Sequence, residues 1–317
     1  MHNALSTDAD ISTVKVSCPL CGADQKTQLG TFHFQNKLLG LKECERCRLV
    51  FVCPRLTEHA MDSYFQTYTD VSSAKTIDMW RAKKKPNISR DLTLLKRLLP
   101  GGGKILDVGS GYGFFSEQAQ AMGYETVGVE ISARACDYAN KKLGLDVRLG
   151  RLKELNLAPQ IFDAAVIFDV LDHLSDPLNE LLQIKRLLKK GGFLIVRVLN
   201  RIHYALLWQR IVGCSNEDNH GSLSRNPFLQ EDHLIHFNQR TLKLILTKAG
   251  YEPRMALGAH LAFRIEQRHI IQLMRRFAGW GFSTLWFLSN RRLILAPSMT
   301  FVVYKKSGDN MNSARGD

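Results

Sequence analysis

The sequence is short of acidic residues: 30 Asp and Glu stand against 43 Lys and Arg in 317 residues, a net charge of +13. It also lacks any run of about 18 uncharged apolar residues, the length a membrane-spanning helix needs. The richest candidate, residues 279–304, is interrupted by Asn290, Arg291 and Arg292. The N-terminal stretch MHNALSTDADISTVKVSCPL has no apolar core of the kind a secretory signal carries. A soluble, cytoplasmic protein is therefore expected. No G-K-[ST] follows the glycine-rich segment, which excludes a Walker A phosphate loop. Hydrophobic residues are not scarce: at 45% they supply a buried core and argue against global disorder.

The basic excess is uneven. Residues 101–199 are neutral, while residues 1–60, 61–100 and 200–317 carry +1, +4 and +8. A neutral module flanked by basic ends is compatible with nucleic acid, a membrane surface or a phosphorylated substrate, and equally with a solvated basic surface.

Four of the seven cysteines form two Cys-x-x-Cys units, Cys18/Cys21 in CPLC and Cys44/Cys47 in CERC. Thiolates two residues apart reach one tetrahedral ion from a single tight turn, and two such turns close a four-sulfur structural zinc site. A closed site has no position for an activated water, so the metal is assigned to folding. Residues 25–42 read as a hairpin between the pairs, giving a zinc ribbon over 16–53. Cys53, Cys136 and Cys214 read as small buried apolar residues.

After Pro100 strands alternate with helices. KILDV (104–108), ETVGVE (125–130), LDVRLG (145–150), FDAAVIFDV (162–170) and FLIVRVL (193–199) read as strands. Residues 114–123, 132–144 and 176–192 read as helices, the second capped by Ser132. This alternation predicts an α/β fold with a largely parallel sheet covered on both faces, its ligand beyond the carboxyl ends of the strands. DVGSGYG places Gly109, Gly111 and Gly113 there. Glycine permits turns closed to other residues and lets backbone amides approach a ligand. The spacing is G-x-G-x-G, and Phe114 stands where a dinucleotide fingerprint needs glycine or alanine. Glu130 ends the next strand, where an acid accepts hydrogen bonds from ribose hydroxyls.

DVGSGYG, VGVE, FDAAVIFDVLDHLSDP and LLKKGGFLIVRVLN, in that order, resemble the class I S-adenosylmethionine-dependent methyltransferases, a Rossmann-like fold. HLIHFNQRTLKLILTKAGY (233–251) is similar to that family's late histidine-containing loop and helix, and MTFVVYKK (299–306) to its final strand. CPLC…CERCRLVFVCPRLT resembles the zinc-ribbon leader of a subgroup that includes sugar C-methyltransferases. The resemblance implies that Asp107, Gly109 and Gly111 line the methionine end of the cofactor and that Gly113 keeps the loop tight. It places Glu130 on the ribose, Ile131 on the adenine, Gly150, Arg151 and Leu152 near the adenine edge, and Asp169 beside the cofactor. Two departures fall on the acceptor side: Leu171-Asp172-His173 replaces Leu-Glu-His, and Leu199-Asn200 replaces Pro-Asn.

The candidate general bases are His173, His233 and His236, with His173 favoured because it follows the fourth strand. Tyr64 and Tyr68, with Trp80, lie in an expected helical lid. The expected organisation is a ribbon leader over 1–60, a helical linker or lid over 61–100, and a cofactor-binding domain over 101–255. That domain carries a substrate insertion at 201–232, and a basic extension with a last strand follows over 256–317. Residues 261–280 have the pattern of a basic amphipathic helix, which suits packing on the core or peripheral contact with an anionic membrane. The expected activity is methyl transfer to a small-molecule, glycan or lipid-linked acceptor. An NAD-dependent oxidoreductase and a non-catalytic nucleic-acid-binding module are the rival readings. Phe114 weighs against the first. The ribbon lacks interleaved basic and aromatic residues, which disfavours the second.

Overall fold

The computed structural model describes residues 12–68, 74–200, 202–212, 223, 226, 228–259 and 296–306. The N-terminal part contains β1 (Thr13–Val14), β2 (Lys26–Phe34), β3 (Lys37–Cys44), β4 (Val50–Val52) and β5 (Arg55–Leu56), followed by helices α1 (Glu58–Tyr68) and α2 (Ala74–Leu98). β6 (Lys104–Val108), α3 (Phe114–Ala121), β7 (Glu125–Glu130), α4 (Ala133–Leu143), β8 (Asp146–Leu149) and β9 (Phe162–Phe168) come next. The chain continues with α5 (Pro177–Leu187), β10 (Leu188–Leu199), α6 (Ile202–Val212), β11 (Ile235–His236), α7 (Gln239–Lys248), β12 (Tyr251–Ala259) and β13 (Ser298–Lys305).

The central sheet has seven strands in the order β12-β13-β10-β9-β6-β7-β8. β6, β7, β8, β9 and β10 pair in parallel, and β13 enters antiparallel between β10 and β12. Strand order reverses between β6 and β9, which puts the crevice for a ligand at the carboxyl ends of β6, β7 and β9. Alternate residues of one strand feed two cores. Leu106, Ala165, Leu194 and Val196 pack with α5, α7 and the ribbon, while Ile105, Ala164, Val166 and Ile195 pack with α2 and α3.

Local signals explain the elements. In α4, Ser132 Oγ accepts from the Ala135 amide, and Gly144 closes the helix in the left-handed region at φ 67°. Such caps contribute about 1 kcal/mol each. α5 starts at Asp176, whose carboxylate caps the Asn179 amide, and it buries Leu181, Ile184 and Leu187; each large apolar side chain fully buried contributes about 1.5–3 kcal/mol. α5 ends at Leu187 rather than at residue 192. The amides of Gln160 and Ile161 take the carbonyls of Arg186 and Leu187, and Leu188 then pairs with Phe162 as the first residue of β10.

The ribbon shares a sheet with the late part of the chain, in the order β11-β4-β3-β2. Ile235 lies opposite Phe51 and His236 opposite Val50. Leu49, Phe51, Leu234, Ile235 and Phe237 fall in one core with the central sheet. β12 crosses position 255, and β13 occupies an interior position of the sheet. The amphipathic pattern at 261–280 lies outside the described residues, as do Cys214 and residues 213–222. Among the described residues no helix is long and apolar enough to cross a membrane.

Candidate functional site

The glycine loop turns on three left-handed residues, Gly109 at φ 71°, Gly111 at 55° and Gly113 at 77°. The three glycines have different reasons to be bare. A Cβ on Gly109 would lie 2.4 Å from Val170 Cγ2, and one on Gly113 would lie 2.4 Å from Leu145 Cδ1, whereas one on Gly111 would meet nothing within 4 Å. Gly111 therefore presents open space on the crevice side of the turn. Phe114 is buried beside Tyr112 and does not leave the close approach that a pyrophosphate requires.

Glu130 is joined to this loop. Its Oε2 accepts from the Gly111 amide at 2.8 Å, and its Oε1 accepts from the Ser132 amide at 2.9 Å. Each carboxylate oxygen keeps a second acceptor site. Asp107 is buried at the end of β6 and accepts from Ser116 Oγ at 2.7 Å. Burial, reinforced by the charge of Glu130, pushes its carboxyl up to about 6 against the pull of Ser116 and Lys84. The buried Ser110 Oγ has no hydrogen-bond partner among the described residues, and a Cβ on Gly128 would stand 2.8 Å from it. Acidic, amide and hydroxyl groups thus converge on the crevice with acceptor capacity left over, a donor set that fits an adenosine carrying ribose hydroxyls and an amino acid.

Ile131 follows Glu130, and the Gln66 side chain of α1 clasps this segment: its amide nitrogen donates to the Ile131 carbonyl and its oxygen accepts from Ala133 N. Gly150 donates to the Glu130 carbonyl. The side chains of Arg151 and Leu152 are both engaged by neighbouring elements. Leu152 is packed in the core, and Arg151 pairs with Glu58 at 3.0 Å and with Asp62 on α1. The backbone from Gly150 to Leu152 is what remains to edge the crevice. Tyr64 packs on Phe34 of the ribbon, and Trp80 of α2 packs on Tyr112 of the glycine loop. Tyr68 ends α1.

Asp169, just beyond the tip of β9, sits in the left-handed region at φ 58°. Its carboxylate accepts from Arg197 Nε and Nη2 at 2.8–3.1 Å, and Arg197 also pairs with the buried Asp91 of α2. Burial works against the Arg197 charge, but Asp169 and Asp91 outweigh it and hold the guanidinium above its usual value. Arg197 also lies over the Phe168 ring, 4.7 Å from its centroid. Sequence reasoning missed Asp91, Arg197, Gln66 and Gly128. An arginine inside the apolar run FLIVRVL and a glycine inside VGVE are the two signals that were there to read.

The three candidate histidines come together, but not as equals. His173 is half-buried, its Nδ1 lies 3.0 Å from the Asp232 carbonyl, and its ring meets those of Phe65 and His233 edge-on. His233 is buried, with its Nδ1 3.0 Å from Asp172 Oδ2. Burial opposes both charges of this pair, yet their mutual attraction prevails: the Asp172 carboxyl is held well below the carboxylate range and the His233 imidazole above its usual value. His236 belongs to β11. Burial, with the neighbouring His233, pushes it down to about 3, and its buried Nε2 has no partner among the described residues. A cavity of about 10 Å³ touches Asp172, His233 and His236, room for about one water.

The cysteines form a second centre. Cys18 and Cys47 sulfurs are 3.4 Å apart, Cys21 and Cys44 sulfurs 3.5 Å, and all four lie within 4.8 Å of one another. A tetrahedral ion with bonds of about 2.3 Å spaces sulfurs slightly under 4 Å, so the set fits zinc. Gly22 and Arg48, both left-handed at φ 75° and 65°, close the two turns.

Comparison with known proteins agrees with this geometry. A profile described as a methyltransferase domain matches residues 79–255. The chain belongs to that family. Its sheet order, with one antiparallel strand inserted near the edge, is that of a class I S-adenosylmethionine-dependent methyltransferase, and S-adenosylmethionine is the family's cofactor. Over 105 residues it is 33% identical to the ubiquinone biosynthesis O-methyltransferase of Cereibacter sphaeroides, covering 32% of this chain and 42% of that one. Over 152 residues it is 28% identical to the protein of the same name from Xanthomonas campestris pv. campestris, covering 44% and 63%. The chain thus spans 42–63% of these relatives' lengths. A solved S-adenosylmethionine-dependent methyltransferase of Thermotoga maritima is 20% identical with a TM-score of 0.49, covering 79% of this chain and 100% of that one.

Proposed function

We propose that this chain transfers the methyl group of S-adenosylmethionine to a hydroxyl of a small-molecule acceptor. The observation that carries this reading is the joint between Glu130 and the glycine loop, which leaves a buried carboxylate with two free acceptor sites at the strand-order reversal. When bound, the sulfonium supplies a methyl that is already activated. The protein's part is to orient, to exclude water and to move one proton; orientation alone can be worth about 7–11 kcal/mol. Glu130 holds the ribose hydroxyls, Asp107 and the backbone from Gly109 to Gly113 hold the methionine end, and Asp169 stands beside it. Ile131 and the backbone from Gly150 to Leu152 edge the adenine, and α1 and α2 keep water out. His173 is the general base. Its Nδ1 is held by the Asp232 carbonyl, so Nε2 is the nitrogen that takes the acceptor proton. His233 and Asp172 sit behind it as a charged pair, and His236 stays neutral and structural.

The O-methyltransferase relatives favour an oxygen acceptor, and glycan and lipid-linked hydroxyls share that chemistry. Peripheral contact with an anionic membrane through the basic segment at 261–280 belongs to this proposal, and flotation on anionic and neutral liposomes tests it. Cys18, Cys21, Cys44 and Cys47 are proposed to hold one structural zinc. Metal analysis should find about one zinc per chain, lost in a Cys44→Ser/Cys47→Ser variant. Methylation of a metabolite extract with labelled S-adenosylmethionine, read by mass spectrometry, tests the reaction. A His173→Gln variant should bind the cofactor normally and yield no labelled product.

A further inference from the structure

The segment that leaves the ribbon touches both histidine-bearing loops. β4 pairs with β11, and the Val52 amide donates to the Leu234 carbonyl at 2.9 Å, which fixes the loop carrying His233 and His236. Three residues further on, Arg55 Nη2 donates to the Ser175 carbonyl at 3.0 Å, which fixes the loop carrying Asp172 and His173. The two loops meet at the Leu234 amide, which donates to the Asp172 carbonyl at 3.0 Å. Arg55 is only 8% exposed; among the described residues no ion pair is formed with it, its charge is eased only from farther off by Asp176 and Glu58, and burial outweighs them. Burying a guanidinium for one carbonyl contact is costly in an element that serves only to fold a leader. It is intelligible if the contact sets a distance.

Residues 50–56 are themselves registered by the ribbon. The Cys53 amide donates to the Gly40 carbonyl at 2.8 Å, and a Cβ on Gly40 would stand 2.7 Å from the Cys53 carbonyl oxygen. Val14 pairs with Arg55 on the other side. A rigid strand end thus spans the gap between two loops that lie far apart in sequence.

We infer that Arg55 and the strand from Val50 to Val52 are positioning elements of the acceptor site: the ribbon sets the spacing and orientation of His173 against the Asp172–His233 pair. The inference deepens the proposed methyl-transfer reading and rests on His173 being the working base. It makes the ribbon part of the acceptor half of the enzyme and independent of the cofactor half.

The test uses the full chain with its metal retained and three variants, Arg55→Met, Arg55→Lys and Gly40→Ala. S-Adenosylhomocysteine affinity is measured by calorimetry, imidazole resonances by NMR, and amide exchange by mass spectrometry. In Arg55→Met the cofactor-product affinity should stay within about twofold, while the His173 and His233 resonances shift and exchange over 172–176 and 232–237 quickens by about tenfold or more. Arg55→Lys should restore part of the wild-type pattern, and Gly40→Ala should reproduce the loss from the ribbon side. Should Arg55→Met prove insoluble, the other two variants carry the test. Unchanged imidazole signals in the folded variants would overturn the inference, as would affinity falling in step with the histidine changes. Wild-type protein that ignores S-adenosylhomocysteine would instead count against the methyltransferase reading, with the exchange and imidazole results still readable.

Discussion

The proposed cofactor half and the proposed acceptor half of this molecule are built on opposite plans. Asp107, the glycine loop, Glu130 and Ser132 come from 26 consecutive residues, and the side-chain hydrogen bonds of Asp107 and Glu130 close within that stretch. The histidine cluster is assembled from residues 50–55, 172–175 and 232–236, and none of those segments could fix its own geometry. A third group of buried charge, the Asp91–Arg197–Asp169 cluster, ties α2 to β10 and to the tip of β9.

That cluster offers the largest test. Arg197→Met leaves Asp91 buried without its partner, and removing one member of a buried pair costs about 3–5 kcal/mol. Urea unfolding should show that loss, and a double change with Asp91→Leu should recover most of it. A loss under 1 kcal/mol, on the order of an exposed pair, would mean the cluster does not act as a buried pair.

Glu130→Ala comes next and strikes the cofactor half alone. It removes a charged acceptor from two buried amides and from the ribose, and a hydrogen bond to a charged group is worth about 1.5–3 kcal/mol. Affinity for S-adenosylmethionine should fall about 10- to 100-fold, while the His173 and His233 resonances stay in place. A change in those resonances would break the separation of the two halves.

How much of this was legible follows the same division. The strands, the Ser132 cap, the glycine loop and Glu130 could be read because each signal is local: a period, a cap, a glycine at positive φ. The end of α5 was misplaced because its last carbonyls are taken by Gln160 and Ile161, which lie outside the helix pattern. The partners of Arg151 on α1 and the burial of Leu152 in the core were not legible either, since a position next to a glycine does not encode which neighbour captures a long side chain. The three histidines were found as residue types. Their different roles depend on β4 pairing with β11 and on burial, and neither leaves a mark in the local sequence.

Titration separates two members of the histidine cluster by sign. His236 has a folded value of about 3 against an ordinary value of about 6.5. The unfolded chain therefore binds the extra proton, and stability falls as pH drops from about 6.5 toward 3, by up to about 1.4 kcal/mol per unit. His233 is shifted the other way, so its contribution is complete below about 6.5 and fades as pH rises through its raised folded value. His236→Asn should flatten the acid limb of the stability curve, and His233→Asn the alkaline shoulder. An unchanged acid limb in His236→Asn would remove His236 from the buried acceptor half.

The smallest effect expected is at Gly128. An alanine there must displace Ser110 Oγ or Val147, each 2.8 Å from the added carbon, and overpacking of this kind costs about 1–3 kcal/mol. Cofactor affinity should drop several-fold, with the imidazole spectrum untouched.

One measurement bears on the whole account most directly: calorimetric titration of the purified chain with S-adenosylmethionine and with NAD, repeated on Glu130→Ala. The account predicts stoichiometric binding of S-adenosylmethionine, no heat from NAD, and binding at least about tenfold weaker in the variant. Equal heats from wild type and Glu130→Ala, or a preference for NAD, would contradict it.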